Sequence, residues 1–282
     1  RRRGAAAAPA MAELQGRAPR LERFAGPCAV VALTVSICIV SGIFAYPRVY
    51  SKWPATAAGL SAAQVLSAAG VLVFLALTNG TDPGTVLKEH APADLDAVAP
   101  EPSQRRRGLA QVSEEGGCRR EFRWCDSCQV WKPPRASHCS MCRRCFGRFD
   151  HHCPWVGNCV AQCNHRFFCG FLLCIGIAGS CVTAVLVLAV LARDVDPDED
   201  SDEWSVTTTA FAGAACLSCC CFGPCIFQAL CQAGMLCMNV TTKDVAAANG
   251  RGIQPASWQE LPGRCLEGQQ EICLARWAPR SH

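Results

Sequence analysis

The chain has 282 residues, of which 23 are cysteine, half are hydrophobic and only 18% are charged, for a formal net charge of +4; its mean hydropathy is +0.15. This length is too great for a small disulfide-stapled module. The composition excludes disorder throughout, argues against an ordinary soluble enzyme, and carries too little and too dispersed a positive charge to argue for nucleic acid.

In chain order, residues 1–23 carry six Arg against two Glu. Met11 is a candidate initiator, with residues 1–10 as an upstream extension. Two charge-free windows follow, Phe24–Tyr46 and Trp53–Thr81, so residues 24–81 read as two membrane-spanning helices. Crossing the ~30 Å hydrocarbon core takes roughly 20 apolar residues in a helix. A signal peptide is disfavoured for the first window, because its apolar region would be shorter, about 7–15 residues. Residues 82–117, rich in Ala, Pro, Glu and Arg, read as a flexible cytosolic linker. Residues 118–166 change character and hold nine cysteines and four histidines. Windows Phe167–Ala192 and Trp204–Thr242 give spans three and four within residues 167–242, around an acidic loop at 193–203 with seven acidic residues and one Arg. Residues 243–282 form a tail whose pieces Trp258–Leu261 and Ile272–Trp277 are apolar enough to return to the membrane face.

Charge sets the orientation. Residues 118–166 carry nine Lys or Arg against three acidic residues. The positive-inside rule therefore places the N-terminal segment, the 82–166 loop and the C-terminal tail in the cytosol, and the 193–203 loop in the lumen. The expected fold is a mostly α membrane protein: a four-transmembrane-helix bundle with a cytosolic Cys-rich domain between spans 2 and 3. The seven cysteines from Cys216 to Cys237 read as small apolar packing residues of the fourth span.

The Cys-rich domain contains Cys125-x2-Cys128, then His138-Cys139-x2-Cys142-x2-Cys145, then Asp150-His151-His152-Cys153, then Cys159. Cys-x2-Cys lets two thiolates grip one Zn²⁺ from a tight turn, and eight ligands make two closed tetrahedral sites. On a reducing cytosolic face a disulfide framework is not expected. His138 and Cys139 are neighbours that point apart, so they serve different ions. His151 and His152 face the same constraint, and spacing does not say which of them binds metal. If His152 and Cys159 are ligands, then Asp150, His151 and Cys153 remain together: a thiol, a base to take its proton and a carboxylate to orient the base.

From Cys125 to Phe168 the chain strongly resembles the DHHC family of protein S-acyltransferases (palmitoyltransferases). Two flanking motifs match in position as well: Asp82-Pro83-Gly84 after the second span, and Thr241-Thr242-Lys243-Asp244 after the fourth. The resemblance implies that Cys125, Cys128, His138 and Cys145 hold one structural zinc, and that Cys139, Cys142, His152 and Cys159 hold the other. It implies that Cys153 is the nucleophile, His151 the general base, Asp150 its orienting residue, and Thr242 a support for Asp150. The chain departs from the family with Asp244 where Glu is usual, with Ala161-Gln162-Cys163-Asn164 where Gly-x-Arg-Asn is common, and with Ser257-Trp258 where an Asn precedes an aromatic in the tail.

The activity implied is transfer of a long-chain acyl group, palmitoyl, from acyl-CoA to protein cysteines by a two-step ping-pong reaction through acyl-Cys153. Palmitoyl-CoA is then the donor, and the partners are the bilayer and proteins with membrane-proximal cysteines, with no nucleic acid. Trp155 and Phe171 are candidates for lining the acyl cavity, with ordinary bundle packing as the alternative. Lys132 and Arg135, with Arg143, Arg144, Arg148 and Arg166, are candidate phosphate contacts by charge, with lipid headgroups as the alternative. An endomembrane location, Golgi or endoplasmic reticulum rather than plasma membrane, is expected. A RING-like ubiquitin ligase is disfavoured, because the late cysteines at 153, 159 and 163 lack a closing Cys-x2-Cys.

Overall fold

A computed structural model describes residues 20–88, 95, 110–115, 118–192, 201–238 and 240–249. The N-terminal segment up to residue 19, most of the 82–117 linker, the acidic loop from 193 to 200, and the tail beyond 249 with Ser257-Trp258 lie outside the described residues. The chain divides into two compact units.

The helical unit comprises Gly26–Gly80 and Arg166–Met238. Its elements are α1 (Arg20–Val40), a π-helical turn (Ser41–Ala45), α2 (Tyr46–Lys52), α3 (Pro54–Gly80), α4 (His165–Leu191) and α5 (Ser201–Cys237). Among the described residues four stretches are long and apolar enough to cross a membrane: Phe24–Lys52, Pro54–Gly80, His165–Leu191 and Thr209–Cys237. The first therefore runs past Arg48, beyond the charge-free window that ends at Tyr46. Residues 201–203, expected in the acidic loop, already belong to α5.

The π turn has a local cause. Ser41 Oγ donates to the carbonyls of Ile37 at 2.8 Å and Cys38 at 3.2 Å, inserting a side chain into the helical ladder. The same hydroxyl accepts from Gln64 Nε2 at 2.9 Å, and Tyr46 Oη donates to Gln64 Oε1 at 2.8 Å. The buried amide of Gln64 is thus satisfied between helices. Beside it Ala45, Val49, Ala57, Val185 and Ala189 form a core of small apolar side chains. Close approach needs glycine at Gly179, where a Cβ would collide with the ring of Phe222. An apolar cavity within this unit is lined by Ile37, Ala68, Val71, Ile175, Val182 and Phe222.

The second unit holds the Cys-rich segment. Strands β1 (Ala110–Glu115), β2 (Cys118–Cys125) and β3 (Val130–Lys132) form an antiparallel sheet in the order β1-β2-β3. Strand β1 lies in the stretch expected to be an unstructured linker: the ladder runs from Ala110 opposite Arg123 to Glu115 opposite Cys118. The alternation of the linker's last residues was too weak to show this strand. Two short hairpins follow, β4 (Ser137–Cys139) with β5 (Arg144–Phe146), and β6 (His151–Cys153) with β7 (Asn158–Val160). The short helix α6 (Thr242–Asn249) belongs to the same unit.

Candidate active site and metal centres

Each hairpin carries a His–Cys pair directly across its strands: His138 opposite Cys145, and His152 opposite Cys159. Each pair is joined by a Cys-x2-Cys turn, Cys125/Cys128 or Cys139/Cys142. Both turns end on a residue in the left-handed region, Gln129 at φ 52° and Arg143 at φ 52°. The first is closed by Gln129 N–H donating to Cys125 O at 2.7 Å. The result is two groups, Cys125–Cys128–His138–Cys145 and Cys139–Cys142–His152–Cys159, with all four ligand atoms of each within 4.8 Å of one another.

The donor sets fit a tetrahedral ion. Zn–S and Zn–N bonds of ordinary length place the donors ~3.5–3.8 Å apart along the tetrahedron's edges. His138 Nδ1 lies 3.2, 3.7 and 3.8 Å from Cys128, Cys125 and Cys145 Sγ. His152 Nδ1 lies 3.3, 3.4 and 3.8 Å from Cys142, Cys159 and Cys139 Sγ. The crowding also shows in protonation. A hydrogen bond from Cys145 lowers Cys125 to about 5, while the same partnership drives Cys145 up. Cys142 and Cys159 lower Cys139, and Cys159 rises in turn. Three thiols and an imidazole competing for protons at this spacing are what one divalent cation resolves by deprotonating all the thiols. Both groups are closed sets of four protein ligands, so a metal here would shape the domain and leave no position for substrate.

Strand alternation separates the two neighbouring histidines. Successive side chains of β6 point to opposite faces. His152 turns toward Cys159 and the second metal group, which puts His151 and Cys153 together on the other face. There His151 Nδ1 and Asp150 Oδ2 lie 2.6 Å apart, and His151 hydrogen-bonds the Cys153 thiol. The side chain of Asp150 is fully buried, that of His151 is 35% exposed, and Cys153 is buried. Asp150 Oδ1 accepts from Thr242 N–H at 2.5 Å, and Oδ2 accepts from Thr242 Oγ1 at 3.1 Å.

Burial alone would push Asp150 up, but the hydrogen bonds from His151 and the Thr242 amide outweigh it and hold the carboxyl below its ordinary range. Burial opposes a proton on His151, yet Asp150 and then Cys153 raise it to about 9. Burial likewise pushes the Cys153 thiol up, and His151 with the Val156 and Trp155 amides more than reverses it, leaving the thiol depressed. The three residues therefore favour a thiolate–imidazolium pair oriented by a carboxylate.

Thr242 reaches Asp150 because α6 is capped tightly. Thr241 Oγ1 accepts from Asp244 N–H at 3.1 Å, and Asp244 Oδ2 accepts from Thr241 N–H at 2.9 Å. This reciprocal pair is a capping box, and aspartate is long enough to close it. Asp244 Oδ2 also takes the guanidinium of Arg135, at 2.7 Å from Nη2 and 3.2 Å from Nε. Arg135, expected to contact acyl-CoA, thus spends its fork on a carboxylate of its own chain. Lys132 is half-buried at the end of β3. Arg148 is buried and turned inward, with Nη1 3.0 Å from His165 Nδ1 and Nη2 donating to Val240 O at 3.3 Å. Trp155 is 57% exposed in the β6–β7 turn, whereas Phe171 is 3% exposed in α4, tilted against Phe168. These two belong to different units.

Several supports were not anticipated. Asn158, the cross-strand partner of Cys153, donates from Nδ2 to Thr81 O at 3.1 Å. Asn164 is fully buried, accepts from Ala161 N–H and donates to Cys159 O. An Asn and a His five and six positions after the last ligand, Cys159, in a segment with no metal left to bind, was the signal available for Asn164 and His165.

The profile of the DHHC palmitoyltransferase family matches residues 119–249. Among curated relatives, the chain is 37% identical over 134 residues to the putative ZDHHC-type palmitoyltransferase 1 of Dictyostelium discoideum, covering 46% of this chain and 30% of that protein. It is 42% identical over 135 residues to the probable protein S-acyltransferase 6 of Arabidopsis thaliana, covering 46% and 32%. It is 34% identical over 182 residues to human palmitoyltransferase ZDHHC14, covering 56% and 34%. The chain thus spans no more than about a third of the length of these relatives.

Proposed function

We propose that this chain, whose residues 119–249 belong to the DHHC palmitoyltransferase family, is a protein S-acyltransferase that moves a long-chain acyl group from acyl-CoA to cysteines of membrane-proximal proteins. The observation that carries this reading is the placement of His151 and Cys153 on one face of β6, with the buried Asp150 on His151. In the first step the Cys153 thiolate attacks the thioester carbonyl of acyl-CoA. The bond from carbonyl carbon to CoA sulfur breaks, and His151 gives its proton to the departing thiolate. In the second step His151 takes the proton of an acceptor cysteine, whose sulfur attacks acyl-Cys153 and releases the Cys153 thiolate. One thioester replaces another in each step, so positioning and an ionised thiol supply most of what is needed.

Zinc is the metal that the Cys₃His donor sets favour. It would be held by Cys125, Cys128, His138 and Cys145, and by Cys139, Cys142, His152 and Cys159, and when bound it fixes the fold of the hairpins. The four apolar helices place the protein in a membrane. In this reading the Cys-rich unit and both termini lie on the cytosolic side of an endomembrane, where thiols stay reduced. A membrane location suits a long acyl chain as ligand, because each CH₂ removed from water contributes about 0.8 kcal/mol. Trp155, Phe171, Lys132 and Arg135 are the candidate acyl-CoA contacts, and the exposure of Trp155 beside the nucleophile suits that role.

The test is labelling with a clickable palmitate analogue. The wild type should carry hydroxylamine-sensitive label and pass it to acceptor proteins, and Cys153→Ser should do neither. Equal label on both, without transfer, would sink the assignment.

A further inference from the structure

The Asp82-Pro83-Gly84 motif has no part in the chemistry above, yet its segment bonds to several stretches that flank the site. Asp82 Oδ1 accepts from the backbone N–H groups of Gly84 and Thr85, both at 2.7 Å, and Oδ2 accepts from Thr85 Oγ1 at 2.9 Å. This is a side-chain-closed turn. Gly84 sits at φ 106°, a conformation that side chains rarely adopt. The turn aims the following backbone outward in a fixed pattern. Gly84 O accepts from Gly147 N–H at 2.9 Å, Pro83 O accepts from Cys163 N–H at 3.1 Å, and Val86 N–H donates to Cys145 O at 2.9 Å. Thr85 forms a β-bridge with Phe146. Thr81 O accepts from Asn158, which lies opposite Cys153.

These anchor points fall on both sides of the catalytic group. Residues 145–147 lead, three positions on, to Asp150. Residue 163 lies two before His165, which holds Arg148. Asn158 belongs to the hairpin that carries His151 and Cys153. Gln162 N–H donates to Gly147 O at 3.2 Å and ties the two stretches together.

We propose that residues 81–86 are a positioning brace, in which the Asp82 turn sets the strip 147–150 against the β6–β7 hairpin and so holds Asp150 and His151 in register with Cys153. None of its side chains touches a reacting atom. It acts through backbone contacts that only this turn geometry presents. The inference rests on the acyltransferase reading for its functional consequence, but its geometry can be tested without that reaction.

The experiment uses the full chain in detergent and compares wild type with Asp82→Ala, Asp82→Asn and Thr85→Val. Three quantities are read: bound zinc, acyl-enzyme formation from palmitoyl-CoA, and alkylation of Cys153 by iodoacetamide. Asp82→Ala removes all three acceptor contacts, and should slow acylation and alkylation together by about tenfold or more while KM for palmitoyl-CoA stays unchanged. Asp82→Asn keeps the acceptor for both amides and should restore most of the rate. Thr85→Val loses one contact and should fall between them. Two zinc ions per chain should remain in each variant.

Unchanged alkylation in Asp82→Ala would overturn the brace. So would a slowed rate that Asp82→Asn does not restore, or a loss that merely follows zinc release in all three variants. If wild type never forms an acyl-enzyme, the acyltransferase reading fails by itself, and the alkylation series still decides the brace.

Discussion

Hairpins β4–β5 and β6–β7 are built on one plan and used differently. Each offers a cross-strand His–Cys pair to a metal group, and each has a cysteine directly after that His. After His138 comes Cys139, which joins the second metal group. After His152 comes Cys153, which joins none among the described residues. Before His138 stands Ser137, whose hydroxyl accepts from Lys243 Nζ at 2.6 Å. Before His152 stands His151, held by Asp150. One scaffold thus gives a ligand on one strand and an activated thiol on the other. What separates them is the outward face of β6, with its imidazole, its carboxylate and Thr242 behind.

The sharpest way to break this comparison is to remove one ligand from each group. Cys142→Ser should release one zinc and cut acyl-enzyme formation by about a hundredfold or more, because His152 anchors the strand that carries His151 and Cys153. Cys128→Ser should also release one zinc but cost only about tenfold, since its hairpin reaches the site through Cys139. Metal analysis beside labelling kinetics checks both. Equal loss in the two variants would mean that the hairpins are not separable.

Chelation sharpens the contrast between Cys139 and Cys153. With metal bound, Cys153 should alkylate readily while the six ligand cysteines stay protected. Removing the metal should expose those six, as peptide mapping would show.

The pH profile comes next. The depressed Cys153 thiol should be ionised below the pH at which an ordinary thiol, with a pKa of about 8.5, gives up its proton. Alkylation should therefore fall only when pH drops through that lowered value. The thiolate–imidazolium pair persists from there up to about pH 9, where His151 loses its proton. In His151→Ala burial is opposed only by the Val156 and Trp155 amides, and the alkylation midpoint should move upward.

The smallest effect belongs to Thr242→Ala, which removes the hydroxyl contact to Asp150 but keeps the backbone one. A loss of about 1 kcal/mol, some fivefold in rate, is expected, with Thr242→Ser restoring it in single-turnover assays.

Much of this was legible in the residues, for identifiable reasons. Charge-free windows report membrane helices because the bilayer penalises charge wherever it falls. Cys-x2-Cys turns and the strand period of two report ligand grouping, because both are local. Partners far apart in sequence were less legible. Arg135 is a candidate phosphate contact by charge, but charge does not reveal the Asp244 carboxylate that its guanidinium meets, 109 positions away. Arg148, another candidate phosphate contact by charge, is buried against the His165 imidazole and the Val240 carbonyl. Strand β1 was hidden in a linker-like composition, since its register depends on β2. The partner of Ser41 in the π turn, Gln64, comes from another helix, which no reading of the first window alone could supply.

The central claim is that Cys153 alone carries the acyl group between donor and acceptor. Its most direct test is to incubate the purified full chain with palmitoyl-CoA without acceptor, quench at early times and map acylation by peptide mass spectrometry. The account predicts one hydroxylamine-labile palmitoyl group on the peptide bearing Cys153, lost in Cys153→Ser and discharged when an acceptor thiol is added. Early label on another cysteine that turns over with acceptor, while Cys153 stays unmodified, would contradict it.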